Sequence, residues 1–203
     1  MTASIAVFDV GHVLIEWDPR HLYREIFPGD EARMEWFLRE VCSPAWNLEQ
    51  DRGRPWAEAI AEATARHPAL AAEIAAYRDR WGEMVPGEIA GSVALLRALA
   101  GRGVPLYAIT NFAEDTFGEA LARFDFFSVF RGIVVSATER VVKPEPAIYR
   151  RLAERYGLRL ENCLFIDDVA ANVAGARAVG MQAHLFTSPE ALRAELEAQG
   201  LLG

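Results

Sequence analysis

Four short polar clusters carry residues whose types suit chemistry: Asp9-Val10-Gly11-His12, Thr110-Asn111, Lys143-Pro144 and Asp167-Asp168. The first, second and fourth directly follow an apolar run, and Lys143-Pro144 follows the third run across a short loop. Adjacent carboxylates at 167 and 168, brought beside a third at 9, would repel one another without a cation. Each cluster alone has a plain structural reading. An Asp after a strand caps or turns, Thr110 or Asn111 caps the following helix, and a single Lys is solvated. Chemistry follows only if the fold gathers all four at one place, so the elements that carry them decide the question.

Those elements are legible. Short runs rich in β-branched and aromatic residues occur at 4–8, 104–109, 133–135, 163–166 and 182–186. A helix-length segment precedes each run after the first, at 92–100, 113–123, 146–156 and 170–179, with a last helix at 189–199. Ser188 and Pro189 suit its N-cap and first helical position. Gly101, Gly103, Gly157 and Gly180 stand where helix-ending glycines belong. Strands alternating with helices predict βαβ units and a parallel sheet, and in such sheets ligands bind beyond the carboxyl ends of the strands.

The interval between the first two strands differs. It holds helical stretches at 21–27, 30–41, 55–66 and 68–81 and all five tryptophans: Trp17, Trp36, Trp46, Trp56 and Trp81. It is expected either to be a helical insert with its own core or to dock helices on the sheet through those rings. The segment 46–54, polar and bounded by Pro44 and Pro55, is expected as a specificity loop or a solvated turn. Pro86-Gly87 suits a hinge. The expected division is an α/β Rossmann-like core of residues 1–14 and 88–203, with a helical cap at 15–87.

The chain has 203 residues, 21 Lys+Arg against 29 Asp+Glu and a formal charge of −8. That balance argues against a broad nucleic-acid or anionic-membrane surface but says nothing of one pocket. Cys42 and Cys163 are too few for a disulfide framework and are not spaced as a metal pair. No apolar run approaches the ~18 residues of a membrane span. With no basic n-region, and with Asp9 interrupting the first apolar run, no signal peptide is expected. The expectation is a cytoplasmic protein, monomer or homodimer, without nucleic-acid or membrane partners.

Together the four clusters, in order and spanning nearly the whole chain, resemble the signature motifs of the haloacid dehalogenase superfamily. The matching segments are Phe8-Asp9-Val10-Gly11-His12-Val13-Leu14, Ala108-Ile109-Thr110-Asn111, Val142-Lys143-Pro144-Glu145-Pro146-Ala147-Ile148-Tyr149, and Phe165-Ile166-Asp167-Asp168 followed by Asn172, Gly175-Ala176 and Gly180-Met181. The resemblance implies a capped, Mg²⁺-dependent phosphohydrolase acting on a small phosphorylated metabolite. By that resemblance Asp9 is the nucleophile, forming an aspartyl-phosphate. Mg²⁺ would be held by Asp9, the carbonyl of Gly11 and Asp168, with Asp167 ranked behind. Thr110, the amide of Asn111 and Lys143 would bind the phosphate, and Lys143 would also offset developing charge.

One departure matters. Most superfamily phosphatases place a second Asp two residues after the nucleophile, as proton donor to the leaving group and later as base. Here that position is Gly11. Losing such a group costs about 10²–10⁴ in rate. Three readings stay open. The leaving group needs little protonation, as in the sugar-1-phosphate phosphatases that resemble this chain in having Gly there. Alternatively His12, Glu16 or Asp18 substitutes, or the chain is a weakly active or non-catalytic phosphate-binding module. Hydrolytic dehalogenation of a 2-haloacid is disfavoured by the Asp167-Asp168 pair. Glu16, Trp17, Asp18, Arg20, His21, Trp46, Asn47 and Arg52 are the expected substrate contacts from the cap. His67 and His184 are expected to be structural.

Overall fold

A computed structural model describes residues 3–203. Five strands, β1 (Ile5–Phe8), β2 (Leu106–Thr110), β3 (Gly132–Val135), β4 (Cys163–Asp167) and β5 (Gln182–Leu185), form one parallel sheet. Its order is β3-β2-β1-β4-β5. The helices, in chain order, are α1 (Arg20–Ile26), α2 (Glu31–Glu40), α3 (Pro44–Asp51), α4 (Trp56–Arg66), α5 (Ala71–Asp79) and α6 (Ala90–Gly101). They continue with α7 (Glu114–Arg123), α8 (Ser136–Glu139), α9 (Pro146–Tyr156), α10 (Ala170–Ala178) and α11 (Pro189–Ala198).

The central strands are apolar up to Thr110 and Asp167, which end β2 and β4, because helices cover both faces. Ala6, Phe8, Leu106, Ala108, Leu164 and Ile166 face one way, in a core shared with α6 and α11. Val7, Tyr107, Ile109, Cys163 and Phe165 face the other way, against Ile148, Tyr149 and Leu152 of α9 and Ala176 of α10. Both cysteines are free and buried, and burial pushes the Cys163 thiol up to about 12.

Helices α1–α5 occupy the interval between β1 and β2. Tyr23, Phe37, Trp46, Trp56 and Tyr77 pack ring against ring there, with centroids 4.8–6.1 Å apart. The same buried cluster runs on without a break into the sheet core. Trp81 meets Phe112, just past β2, at 5.6 Å, so one tryptophan docks and others build a local core. The chain leaves and re-enters the sheet through paired segments: Ile15 bridges Glu88 antiparallel, and Glu16 N–H donates to Gly87 O.

Two local outcomes differ from expectation. The segment expected as a loop or turn at 46–54 is mostly the helix α3. Ser43 Oγ caps it by accepting from Trp46 N–H at 3.2 Å, and Pro44 takes its first turn. Gly101 lies inside α6 rather than beyond it; Gly103, with φ +77°, turns the chain instead. Ser188 caps α11 as expected, accepting from Ala191 N–H.

Candidate active site

The sheet order reverses between β1 and β4, where an open α/β sheet has its ligand crevice. Phe8 is in register with Ile166, and Asp9 N–H donates to Ile166 O at 2.8 Å. The residues that follow are therefore level: Asp9 beyond β1, and Asp167 at the end of β4. Ligand oxygens of Asp9, Asp167 and Asp168 lie within 4.8 Å of one another.

Lys143 closes the group. Its Nζ is 2.6 Å from Asp9 Oδ1 and donates to Asp167 Oδ2 at 2.7 Å, with the side chain 1% exposed. Asn111, the residue after β2, positions this lysine: Lys143 N–H donates to Asn111 Oδ1 at 2.8 Å, and Asn111 Nδ2 donates to Lys143 O at 3.2 Å. The Lys143-Pro144 peptide is cis. Behind it, α10 approaches so closely that a Cβ at Gly175 would stand 2.7 Å from Pro144 O. Tyr149 hydroxyl, donating to Asn172 O at 2.8 Å, ties α9 to the same place.

The two acids of the pair are not equivalent. Asp167 is fully buried, and both its oxygens are engaged, by Lys143, by Asn172 Nδ2 at 3.0 and 3.1 Å, and by Val169 N–H at 2.8 Å. Asp168 is half-buried and lines the cleft. Burial, followed by the charge of Asp167, raises the Asp168 carboxyl above its ordinary value. Asp9 is likewise raised by burial and by Asp167, against the pull of Lys143. Burial opposes the Lys143 ammonium, but Asp9 and Asp167 outweigh it and hold its pKa above the ordinary value. Three acids against one ammonium leave surplus negative charge in a desolvated crevice, and hard oxygen donors suit a small divalent cation. The residues therefore fit Mg²⁺. Asp9 and Asp168 have oxygens available for it, whereas those of Asp167 are already taken.

A cleft of about 190 Å³ opens over this group. Asp9, Gly11, His12, Asn111, Lys143, Asp168 and Asn172 form its polar side, and Ile15, Trp17, Trp56, Trp81, Phe112 and Val169 its apolar walls. Asn47 and Asp51 reach it from α3. Thr110 ends β2 and is buried outside the cleft lining. Of the expected cap contacts, Trp17 and Asn47 line the cleft. Glu16, Asp18, Arg20, His21, Trp46 and Arg52 do not. Asp18 accepts from Arg20 N–H and its guanidinium, Arg20 pairs with Glu35, and Arg52 with Glu145. Glu16 and His21 are exposed. His12, at φ +56°, lines the cleft edge-to-face with Trp17.

Asp51, Trp56, Trp81, Phe112 and Thr116 were not singled out individually as cleft residues from the sequence. The helix that delivers Asp51 was readable, because Ser43-Pro44 repeats the start seen at Ser188-Pro189. Ser136 carried no signal at all. Its buried hydroxyl accepts from Phe112 N–H at 2.9 Å and donates to Asp51 O at 2.5 Å, pinning α3 to the loop after β2.

A doubly covered parallel sheet, a helical insertion after its first strand and an acid–lysine cluster at its switch point define a Rossmann-like α/β fold with a candidate site at the strand ends. The chain belongs to the haloacid dehalogenase-like hydrolase family, whose model matches residues 4–180. It is 29% identical over 182 residues to "Sesquiterpene phosphatase astK" of Aspergillus oryzae, covering 89% of this chain and 88% of that one. Over 91 residues it is 33% identical to a phosphoglycolate phosphatase of Rhodospirillum rubrum, covering 45% of this chain and 38% of that protein. A haloacid dehalogenase family enzyme of Bacteroides thetaiotaomicron, solved in complex with magnesium and inorganic phosphate, shares the fold at TM-score 0.70. That likeness has 21% identity and covers 92% of this chain and 95% of the other.

Proposed function

We propose that the protein is a Mg²⁺-dependent phosphatase that hydrolyses a small phosphate monoester through an aspartyl-phosphate on Asp9. The observation that carries this reading is the contact of one buried lysine with two carboxylates beside a third, at the switch point of the sheet. An excess of acids at a metal-free site would only repel an anionic substrate. The same acids around a cation make a site for a phosphate. The phosphatase names of two relatives support the reading.

Magnesium, when bound, would offset the charge of the phosphate and act as a Lewis acid on it. The protein's residues do the rest. Asp9 Oδ1 is held by Lys143, and Asp9 also accepts from Val10 N–H at 2.7 Å, which together aim the carboxylate. Lys143 stays charged between the acids and faces the transferring oxygens as a preorganised positive group. The main-chain amide of Asn111 would donate to the phosphate, while its side chain is engaged with Lys143. Asn172 and Val169 N–H hold Asp167 as the counter-charge that keeps Lys143 in place.

Substrate choice falls to the aromatic walls. Trp17, Trp56, Trp81 and Phe112 offer flat apolar faces, which suit a sugar ring's C–H face or an apolar leaving group such as the relative's name implies for that relative. Turnover of a chromogenic aryl phosphate with Mg²⁺, abolished by EDTA and by Asp9→Asn, is the expected result. Wild-type inactivity, with Mg²⁺-dependent thermal stabilisation by phosphate mimics, would replace it by the binding-module reading. EDTA-insensitive chloride release from a 2-chloroacid would replace it by dehalogenation. Anomeric sugar phosphates reacting no faster than primary-alcohol ones would sink the sugar-phosphate expectation drawn from Gly11.

A further inference from the structure

We propose that Asp51, reaching the cleft from the last turn of α3, is the proton donor and acceptor that Gly11 cannot be. The inference rests on the phosphatase reading above and adds a residue to it.

Asp51 lines the same cleft as Asp9, Lys143 and Asp168, but it comes from α3, in the helical insertion, and not from a strand end of the sheet. Its placement is built. The main-chain carbonyl accepts from the buried Ser136 hydroxyl, and the carboxylate accepts from Ala113 N–H and from Asn47 Nδ2 at 3.2 Å. These bonds come from α8, from the loop after β2 and from α3 itself, so the carboxyl is held by both the cap and the sheet. Burial pushes it up to about 7, with Lys143 and the Ala113 amide pulling the other way. The groups around it are few. Lys143 and the Tyr77 ring face it, Asp9, Asp168 and His12 share the cleft, and the neighbouring Arg52 is engaged by Glu145 and Glu49. An acid poised near neutrality can both give and take a proton at working pH.

The two half-reactions balance. An oxygen of Asp9 bonds to phosphorus, the bond from phosphorus to the leaving oxygen breaks, and the Asp51 proton passes to that oxygen to release an alcohol. Water then attacks the same phosphorus and loses a proton to the Asp51 carboxylate. The bond to Asp9 breaks, inorganic phosphate leaves, and both aspartates return to their starting states. None of the other candidates fits as well. Asp18 is engaged by Arg20 outside the cleft, Glu16 is exposed, and His12, though it lines the cleft, is exposed and edge-to-face with Trp17.

The test compares leaving groups in Asp51→Asn, with Asp51→Glu as the conservative variant. For an alkyl monoester such as glycerol phosphate, kcat/KM in Asp51→Asn is expected to fall about 10²–10⁴-fold. For p-nitrophenyl phosphate, whose leaving group departs unprotonated, the loss in kcat/KM is expected to stay within about tenfold. Rapid-quench trapping should show the aspartyl-phosphate accumulating, and Asp51→Glu should recover part of the alkyl activity. Equal losses on both substrates, or none on either, would overturn the proposal while leaving the phosphatase reading intact. If Asp51→Asn does not fold, the wild type alone decides across a series of leaving groups. A shallow dependence on leaving-group pKa supports a proton donor, and a steep one overturns it. A wild type inactive on every monoester with Mg²⁺ overturns both readings.

Discussion

Gly11 is a chemical choice rather than a conformational one. Its φ is not in the left-handed region, and a Cβ built there meets no atom within 4 Å. The backbone after β1 would accept an aspartate, and the cleft has room for it. Gly11→Asp is therefore expected to fold without steric strain, losing stability in EDTA through repulsion from Asp9 and Asp168 and recovering it when Mg²⁺ is added. In the Asp51→Asn background it should raise turnover of alkyl monoesters by at least about tenfold, supplying from β1 the proton otherwise delivered from α3. Steady-state rates on glycerol phosphate, alongside thermal melts, check both halves. The residue scale also explains an asymmetry of the acid pair. Asp167 spends its oxygens on Lys143, Asn172 and an amide, which leaves the half-buried Asp168 as the member able to meet a cation.

At the scale of elements, the site is a matter of how closely three of them approach. The loop before α9 carries Lys143 and Pro144, α10 presses Gly175 against it, and β2 holds it through Asn111. A methyl at Gly175 would meet main chain, which cannot swing aside as a long side chain would. Gly175→Ala should thus lower kcat more than stability, by about ten- to a hundredfold, because small misplacement of a catalytic group is costly. Unchanged kcat with a lowered melting temperature would refute this. The elements themselves were largely legible. Five strands and the helices of the sheet emerged from apolar runs, caps and glycines. The helix α3 was misread because its polar exposed face hid the period, although Ser43-Pro44 announced its start. The four-residue α8 is too short to show periodicity, and its Ser136 gains meaning only from residues distant in sequence at 51 and 112.

At the scale of the whole molecule, the cap and the sheet share one continuous buried cluster, so cap residues influence overall stability as well as the cleft. Asp51 offers a way to read that coupling. Its carboxyl is raised from 3.8 to about 7 in the folded protein, so folding favours the protonated form. The resulting stability is full below about pH 4 and is lost as pH rises through 7. About three pH units at ~1.4 kcal/mol each set an upper bound of about 4 kcal/mol. Melting of Asp51→Asn against wild type in EDTA should therefore show the variant gaining relative stability from pH 4 to 7.5, by up to several degrees. Asp9 and Asp168 titrate in both proteins and cancel in the difference. A pH-independent gap would contradict the burial of that carboxyl. Among the described residues, no helix is long and apolar enough to cross a membrane.

The sequence by itself determined the parallel sheet, the helical insertion and the strand ends that carry Asp9, Asn111, Lys143, Asp167 and Asp168. Apolar runs, caps and motif order are local signals that one chain displays without folding. Which acid faces the cleft, which side chain steadies Lys143, and which carboxylate from the helical insertion shares the cleft with Asp9 were decided only by the tertiary structure. Those facts depend on hydrogen bonds and burial between segments far apart in the chain. The pairing of Asp51 with Ser136 and Ala113 exists only once α3 has closed over the sheet.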